Sequence, residues 1–319
     1  MRAFTCGNCH RLAPFESNRC LHCGAEHGFD WDERELVAFS ASERVRCALQ
    51  ATAACNAVVA TEGELCRACA LTRTRPADGD ATGLARFAEA EAAKRRLVFE
   101  LAELGLPTDG GLTFDMLSST DGPVTTGHAD GVVTIDLAEV DDAHREAMRA
   151  QMAEPYRTVL GHLRHEIGHY YQPIVVADWD ACRALFGDER DDYAAAMQRH
   201  YERGAPADWP GRFVTAYATM HPWEDWAETF AHYLHIAGTL QTALAYGVRV
   251  EGPPGLAKPA EAGADEFASL MAGWLPLTYA LNALNRSMGA EDLYPFVLTP
   301  RVIEKLEFVH QAVVGYSKH

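Results

Sequence analysis

Eight of the nine cysteines lie within the first 72 residues, and this clustering limits the folds available to that part of the chain. Cys6 and Cys9 form one Cys-x-x-Cys pair, and Cys20 and Cys23 form a second pair ten residues later. This spacing is typical of a zinc ribbon, in which two pairs supply four thiolates to one tetrahedral ion. We therefore predict a first structural zinc site at these four cysteines. Zinc bound there would contribute directly to folding.

A second set of four cysteines follows with less regular spacing: Cys47, Cys55, Cys66 and Cys69. The N-terminal residues contain no apolar leader, so we expect a cytoplasmic protein whose thiols stay reduced. Metal binding is then favoured over disulfides, and the set predicts a second structural zinc site. His10 and His22 are weaker candidates that could replace one of the cysteines as a zinc ligand. Cys182 stands alone and is expected to be a buried apolar residue rather than a nucleophile.

The sequence His165-Glu166-Ile167-Gly168-His169 is the feature that points to chemistry. Apolar residues recur around it at helical spacing, so we predict a helix that starts at Pro155. Side chains four residues apart share one helix face, so His165 and His169 can bind one zinc ion. Zinc lowers the pKa of a bound water to about 7, and Glu166 can then take its proton. Gly168 costs about 1 kcal/mol against alanine in a helix, which predicts a close contact at that position.

A second helix is predicted from about Pro222 to Tyr246, with acidic residues in its first turn. Glu224 and Glu228 lie four residues apart on one face of this helix. One of them can bind the metal, while the other accepts a hydrogen bond from a ligand histidine. The spacing alone leaves open which of the two is the ligand. Weaker candidates for the metal ligand are Asp225, His232 and His235. Trp223 and Trp226 are expected to lie in the hydrophobic core.

The two stretches together resemble the gluzincin metallopeptidases, whose zinc is held by two histidines and one glutamate. The resemblance implies that Glu224 is the ligand and that Glu228 orients a ligand histidine. In the lethal-factor-type toxin peptidases, a tyrosine seven residues before the glutamate stabilises the oxyanion. Tyr217 occupies that position here, and a phenol there can donate a hydrogen bond where negative charge develops.

The whole chain resembles, more closely, a bacterial family of zinc-binding metallopeptidases with an N-terminal zinc ribbon. The stretches that carry this resemblance are Cys6–Cys9, Ala92–Arg96, Gly127–Gly131, Gly161–His169 and Ala216–Glu228. The resemblance implies a zinc-dependent peptidase acting on a peptide or protein, and it says little about which one.

The formal net charge of −17 argues against nucleic acid or an anionic membrane as the main partner. Acidic residues are not concentrated in the cysteine module, because residues 1–75 hold nine arginines and nine aspartates or glutamates. The chain contains no run of 18 apolar residues, so no transmembrane helix is expected. The ribbon is expected to bind a protein partner or the substrate, or to dock on the catalytic part.

The pattern of the chain predicts an α+β protein in three parts. Residues 1–72 form the zinc-ribbon module, residues 73–83 a linker with Pro76, and residues 84–319 a mainly helical gluzincin-like catalytic domain with a small sheet. Helices are predicted at 84–104, 141–152, 187–203, 265–288 and 299–315, and strands at 112–117 and 132–137. The basic run Lys94-Arg95-Arg96 is expected to be solvated. Residues 127–131 are predicted to lie near the rim of a cleft, where an extended substrate would add to the edge of a strand. His128 is either a substrate contact there or, more commonly for such a position, a histidine in a turn.

Two other functions fit the same residues. The first is a zinc amidohydrolase that acts on a small or modified substrate, since the same metal site would serve it. The second is a non-catalytic scaffold in which the ribbons bind a partner and the His-Glu-x-x-His motif is a relic. The intact Glu166 and the spacing of Tyr217 from Glu224 argue against the scaffold.

Overall fold

A computed structural model describes residues 1–119, 122–141, 158–252 and 265–318. It contains two compact units, Met1–Glu103 with Pro107–Met148, and Leu104–Leu106 with Arg149–His319. The first unit holds the described strands and one long helix, and the second unit is helical. The predicted α+β class is therefore confirmed.

Short strands hold the cysteine-bearing turns of the first unit. Strand β1 pairs antiparallel with β2, and a separate four-stranded sheet has the order β4-β3-β6-β5. Their bounds are β1 Phe4–Thr5, β2 Leu12–Ala13, β3 His27–Asp30, β4 Glu35–Ala38, β5 Val45–Arg46 and β6 Ala57–Val59. Such short strands supply few hydrogen bonds, so a ribbon of this kind depends on its metal and its aromatic core.

A second four-stranded sheet in the same unit has the order β7-β8-β10-β9. Its strands are β7 Thr72–Thr74, β8 Thr113–Leu117, β9 Gly127–Ala129 and β10 Val132–Asp136. The strands predicted at 112–117 and 132–137 are confirmed as β8 and β10. His128 lies in the edge strand β9 rather than in a turn, and substrate binding at that edge stays a prediction.

The stretch predicted as a linker, 73–83, is partly regular structure. Strand β7 uses its backbone to pair with β8, and helix α1, Ala81–Glu103, begins before the stretch ends. The side chain of Asp80 accepts a hydrogen bond from the Gly83 backbone N–H at 2.8 Å, as a helix-capping residue does. Only residues 75–80 connect the two elements.

The basic run on α1 is mostly buried, so its predicted solvation is wrong for two of its three residues. Lys94 is 0% exposed and forms an ion pair with Glu91 at 2.5 Å. Arg95 is 2% exposed and donates to the backbone carbonyls of Ala53 and Ala54 at 3.1 and 3.3 Å. These partners accept hydrogen bonds from the two buried side chains, and a charge count along the sequence does not reveal them. Arg96 is exposed, as predicted.

Helix α1 also completes the aromatic core of the ribbon. The ring of Phe99 lies 5.6 Å from that of Phe4, 5.3 Å from Phe15 and 5.8 Å from Phe29, measured between ring centroids. Phe99 is 1% exposed. A residue of the predicted catalytic domain is thus part of the hydrophobic core of the cysteine module.

The second unit is built from six described helices. Their bounds are α2 Val159–Val175, α3 Trp179–Phe186, α4 Tyr193–Arg203, α5 Pro222–Ala245, α6 Glu266–Ser287 and α7 Pro300–Ser317. The helices predicted at 222–246, 265–288 and 299–315 are confirmed. Residues 142–152 of one predicted helix lie outside the described residues.

Two helix starts differ from the sequence prediction. Helix α2 begins at Val159 rather than Pro155, because Thr158 is extended and its side chain accepts from the Gly161 N–H at 3.0 Å. Pro155 itself lies outside the described residues. The helix predicted from Gly187 begins instead at Tyr193, where Asp192 is the capping residue. Gly187 ends the unpredicted helix α3 with a φ of 103°, a conformation that favours glycine.

Helix α6 is, among the described helices, the one long and apolar enough to cross a membrane. Core helices meet the same criterion of length and composition. Its residues Phe267, Met271, Trp274 and Leu277 are buried within the second unit.

Helices α2 and α5 cross closely at Gly168, and this close approach confirms the contact predicted there. A Cβ atom at Gly168 would lie 2.9 Å from the Cα atom of Ala227 and 3.2 Å from the Cβ atom of Phe230. The Gly168 carbonyl also accepts a hydrogen bond from the indole N–H of Trp226 at 2.9 Å. The absence of a side chain lets the two helices approach this closely.

We expect Gly168→Ala to lower the free energy of unfolding by about 1–3 kcal/mol, because the added methyl group meets backbone that cannot move aside. Alanine would otherwise gain about 1 kcal/mol over glycine in a helix. Gly315→Ala in α7 is the matched control, since nothing lies within 4 Å of its added Cβ atom. Urea denaturation of both variants measures the difference. Equal stability of the two would contradict the close crossing.

Candidate metal centre

Helices α2 and α5 bring His165, His169 and Glu224 together in the second unit. The Nε2 atoms of the two histidines are 3.2 Å apart. Glu224 Oε2 lies 3.0 Å from His165 Nε2 and 3.4 Å from His169 Nε2. All three side chains are buried. The i, i+4 pair predicted on one helix therefore meets the first turn of the other helix, as predicted.

The three atoms fit one divalent cation. With zinc–ligand bonds of about 2.0–2.1 Å, the edge of a tetrahedron is roughly 3.3 Å, close to the three separations. Glu224 Oε2 is buried and forms no hydrogen bond among the described residues. His165 Nδ1 lies 2.6 Å from Glu228 Oε1. In the neutral ring that zinc binding needs, this contact places the proton on Nδ1, so Nε2 presents a lone pair to the oxygen of Glu224. A positive charge at that point, either a metal ion or a second proton on the ring, stabilises such an arrangement in a buried site.

The charges around the site have the sign that a cation requires. Burial lowers the pKa of His165, but Glu224 and Glu228 raise it more, so the net shift is well upward. Burial raises the pKa of Glu224, and the two histidines lower it more, so this carboxyl is ionised. A proton and a metal ion compete for the same negative potential, and zinc binding needs the neutral imidazole.

Glu228 lies on the opposite side of the His165 ring from Glu224. Its Oε1 accepts from His165 Nδ1–H, and its Oε2 accepts from the Thr215 hydroxyl at 2.6 Å. With both oxygens engaged, Glu228 fits the role of an orienting acid. Between the two alternatives left open by spacing, the geometry favours Glu224 as ligand.

Glu166 follows His165 on α2 and is almost fully buried. Its Oε1 lies 3.0 Å from His162 Nε2, and its Oε2 is buried without a hydrogen bond among the described residues. Burial raises the pKa of Glu166, while His162, His165 and His169 lower it more, so the net shift is downward. His162 lies outside the set of predicted site residues, although its i, i+4 spacing from Glu166 is a usable signal.

Two tyrosines border the site. The ring of Tyr217 lies 5.9 Å from that of His165, measured between centroids. Burial and the charge of Glu224 raise the pKa of Tyr217, so its phenol stays protonated as a donor. Tyr193, the first residue of α4, donates its hydroxyl to Glu224 Oε1 at 2.9 Å. No local pattern marks Tyr193, because it lies 31 residues before Glu224 and meets it only in the folded chain.

The weaker ligand candidates on α5 have other partners. Asp225 forms an ion pair with Lys305 at 2.6 Å. His232 Nδ1 lies 2.7 Å from the Tyr294 hydroxyl, and His235 Nδ1 lies 3.4 Å from an Arg164 nitrogen. None of the three belongs to the cluster that could hold a metal among the described residues.

Cys182 and two tryptophans of α5, Trp223 and Trp226, are all predicted to be buried. Trp226 is fully buried, and Cys182 is 1% exposed, so both predictions are confirmed. Trp223 is only partly buried, and its ring lies 4.1 Å from that of His169. It therefore borders the candidate metal site and is not part of the core, so its predicted burial there is wrong.

The eight cysteines of the first unit form two groups of four, Cys6, Cys9, Cys20 and Cys23, and Cys47, Cys55, Cys66 and Cys69. The sulfur atoms of Cys6 and Cys23 are 3.8 Å apart, and those of Cys55 and Cys66 are 3.7 Å apart. Zinc–sulfur bonds of about 2.3 Å give a tetrahedral edge of roughly 3.8 Å, which these separations match. Neither His10 nor His22 belongs to these groups.

Comparison with known proteins assigns the chain to a family. Residues 83–312 match the family described as "Putative zinc-binding metallo-peptidase", and residues 3–80 match a zinc-ribbon domain. The chain belongs to this metallopeptidase family. It is similar to uncharacterized proteins of Mycobacterium tuberculosis (strain H37Rv) and Mycobacterium bovis. Each is 48% identical over 327 aligned positions, which cover 98% of this chain and 95% of the relative. No solved structure matches significantly. The family and the cysteine groups support zinc as the metal.

Proposed function

We propose that the chain is a zinc-dependent peptidase whose metal is held by His165, His169 and Glu224. One observation carries the proposal. The two Nε2 atoms and Glu224 Oε2 lie within 3.4 Å of one another, while Glu228 occupies the other nitrogen of His165. Such convergence of lone pairs in a buried site is the donor set of a catalytic zinc with two histidines and one glutamate.

The side chains around this triad have distinct roles in the proposed hydrolysis. When bound, zinc lowers the pKa of a water and polarises the peptide carbonyl. Glu166 is the general base, which takes a proton from the attacking water and delivers it to the leaving amine. Tyr217 donates a hydrogen bond to the carbonyl oxygen as negative charge develops on it. Glu228 holds the ring of His165 in the orientation that presents Nε2.

The two groups of four cysteines are proposed as structural zinc sites, which gives three zinc ions per chain. Sites with four protein ligands leave no position open for a substrate and act by stabilising the fold. The substrate is then a peptide or a protein, as for a peptidase. Reduced thiols used as metal ligands support a cytoplasmic location.

Zinc content tests this assignment. We expect elemental analysis to find three zinc ions per chain in the wild-type protein and two in the double variant His165→Ala/His169→Ala. The loss should be confined to the second unit, because the ribbon cysteines are unchanged. Two zinc ions in both proteins would contradict a zinc site at this triad.

A peptide library digested with both proteins and read by mass spectrometry tests the reaction. Cleavage by the wild type alone is the expected outcome. The wild type could instead hold three zinc ions, and the double variant two, while the wild type cleaves no peptide. That result would contradict the peptidase reaction but retain the metal centre.

A further inference from the structure

The two oxygens of Glu224 have different partners. Oε2 lies within 3.4 Å of both histidine Nε2 atoms, and Oε1 accepts a hydrogen bond from the Tyr193 hydroxyl at 2.9 Å. Glu224 is 2% exposed, so water has little access to compete for Oε1. The hydroxyl of Tyr193 is therefore the group that engages Oε1 of Glu224.

The position of Tyr193 is fixed by the cap at the start of α4 and by a link from the preceding residues to α5. It begins α4, where the Asp192 side chain accepts from the Ala195 N–H at 3.0 Å. The His221 ring links the chain before α4 to the start of α5. Its Nε2–H donates to the Asp191 carbonyl at 3.0 Å, and its Nδ1 accepts from the Trp223 N–H at 3.1 Å.

The Tyr193 ring itself packs edge-on against two other rings. Its centroid lies 5.2 Å from that of His221 and 5.9 Å from that of Trp223. A ring fixed in this way presents its hydroxyl at a defined point, as a residue that orients a metal ligand must.

A carboxylate can bind a metal through one oxygen or through both. A catalytic zinc needs one coordination position that no protein ligand occupies. A second oxygen from Glu224 would compete for that position. We propose that Tyr193 is a positioning residue that restricts Glu224 to binding zinc through Oε2 alone. This inference rests on the proposed zinc site, and it assigns to Tyr193 the task of keeping the position for water open.

The test compares Tyr193→Phe with the wild type and with Tyr201→Phe. Phenylalanine keeps the ring and removes the hydroxyl, which donates to Glu224 and is also hydrogen-bonded to Tyr217. The zinc–oxygen distances, rather than activity alone, therefore decide the role of Tyr193. Tyr201 lies two turns further along α4, is 68% exposed, and makes no hydrogen bond to Glu224. The three zinc-loaded proteins are crystallised, and the distances from zinc to both oxygens of Glu224 are measured. Activity is measured on a peptide that the wild type cleaves.

We expect both oxygens of Glu224 to bind zinc in Tyr193→Phe and one oxygen in the other two proteins. We also expect kcat of Tyr193→Phe to fall about 10–100-fold, with three zinc ions retained. Binding through one oxygen in Tyr193→Phe would overturn the role of Tyr193 and leave the proposed function intact. Zinc absent from the triad in the wild type would overturn both.

Discussion

Glu166→Gln is expected to lower kcat/KM for peptide hydrolysis by about 10²–10⁴-fold while zinc stays at three ions per chain. Glutamine keeps the shape of the side chain and its position next to His162, but it cannot accept a proton from water. The residue is not among the three proposed zinc ligands, so metal content separates loss of the base from loss of the site. Measured kcat/KM and elemental zinc on the same preparation give both readings.

Glu202→Gln is the matched control for this substitution. Glu202 lies on the exposed side of α4, where it accepts a hydrogen bond from Gln198, and its amide analogue should retain wild-type kcat/KM. Undiminished hydrolysis in Glu166→Gln would remove the general-base assignment. A parallel loss of zinc would show that the substitution had disturbed the metal site instead.

Phe99→Ala is expected to produce the largest loss of stability, about 3–5 kcal/mol of the free energy of unfolding. The substitution removes a buried ring that contacts three other aromatic rings and leaves a cavity among them. Chemical denaturation monitored by tryptophan fluorescence measures it, because Trp31 lies in the same core next to Phe29.

Arg96→Ala, on the same helix, is the control for Phe99→Ala. Arg96 is exposed, and its ion pair with Glu16 lies at the surface, so its removal should cost no more than about 1 kcal/mol. A loss below about 1 kcal/mol in Phe99→Ala would contradict the packing of α1 into the ribbon core.

Local spacing was sufficient to predict most of the proposed metal ligands. Both groups of four cysteines and the pair His165 and His169 meet as the pattern indicated, because their spacing reflects turns and helices that form locally. Spacing left Glu224 and Glu228 as alternatives for the third ligand, and the choice of Glu224 came from the resemblance to the gluzincins. The start of α5 was also predictable, since a proline at the first position and acids in the first turn are local signals.

Contacts between distant segments could not be predicted in the same way. Tyr193 meets Glu224 only because α4 packs beside the start of α5, and nothing in the residues around it indicates that neighbour. The burial of Lys94 and Arg95 depends likewise on partners up to 42 positions away, and their charge alone indicated solvent. Where the partner lies on the same helix, as for His162 and Glu166, the i, i+4 spacing itself indicates the contact.

The packing of Phe99 into the ribbon also limits how recombination could join this ribbon to other enzymes. The family boundary near residue 80 would be the natural place for genetic exchange to join the ribbon to another enzyme. An exchange there would separate three aromatic rings of the ribbon from the fourth, which belongs to the next segment. We therefore expect a ribbon joined to another enzyme at that point to lose stability, and the mycobacterial relatives match this chain across both segments.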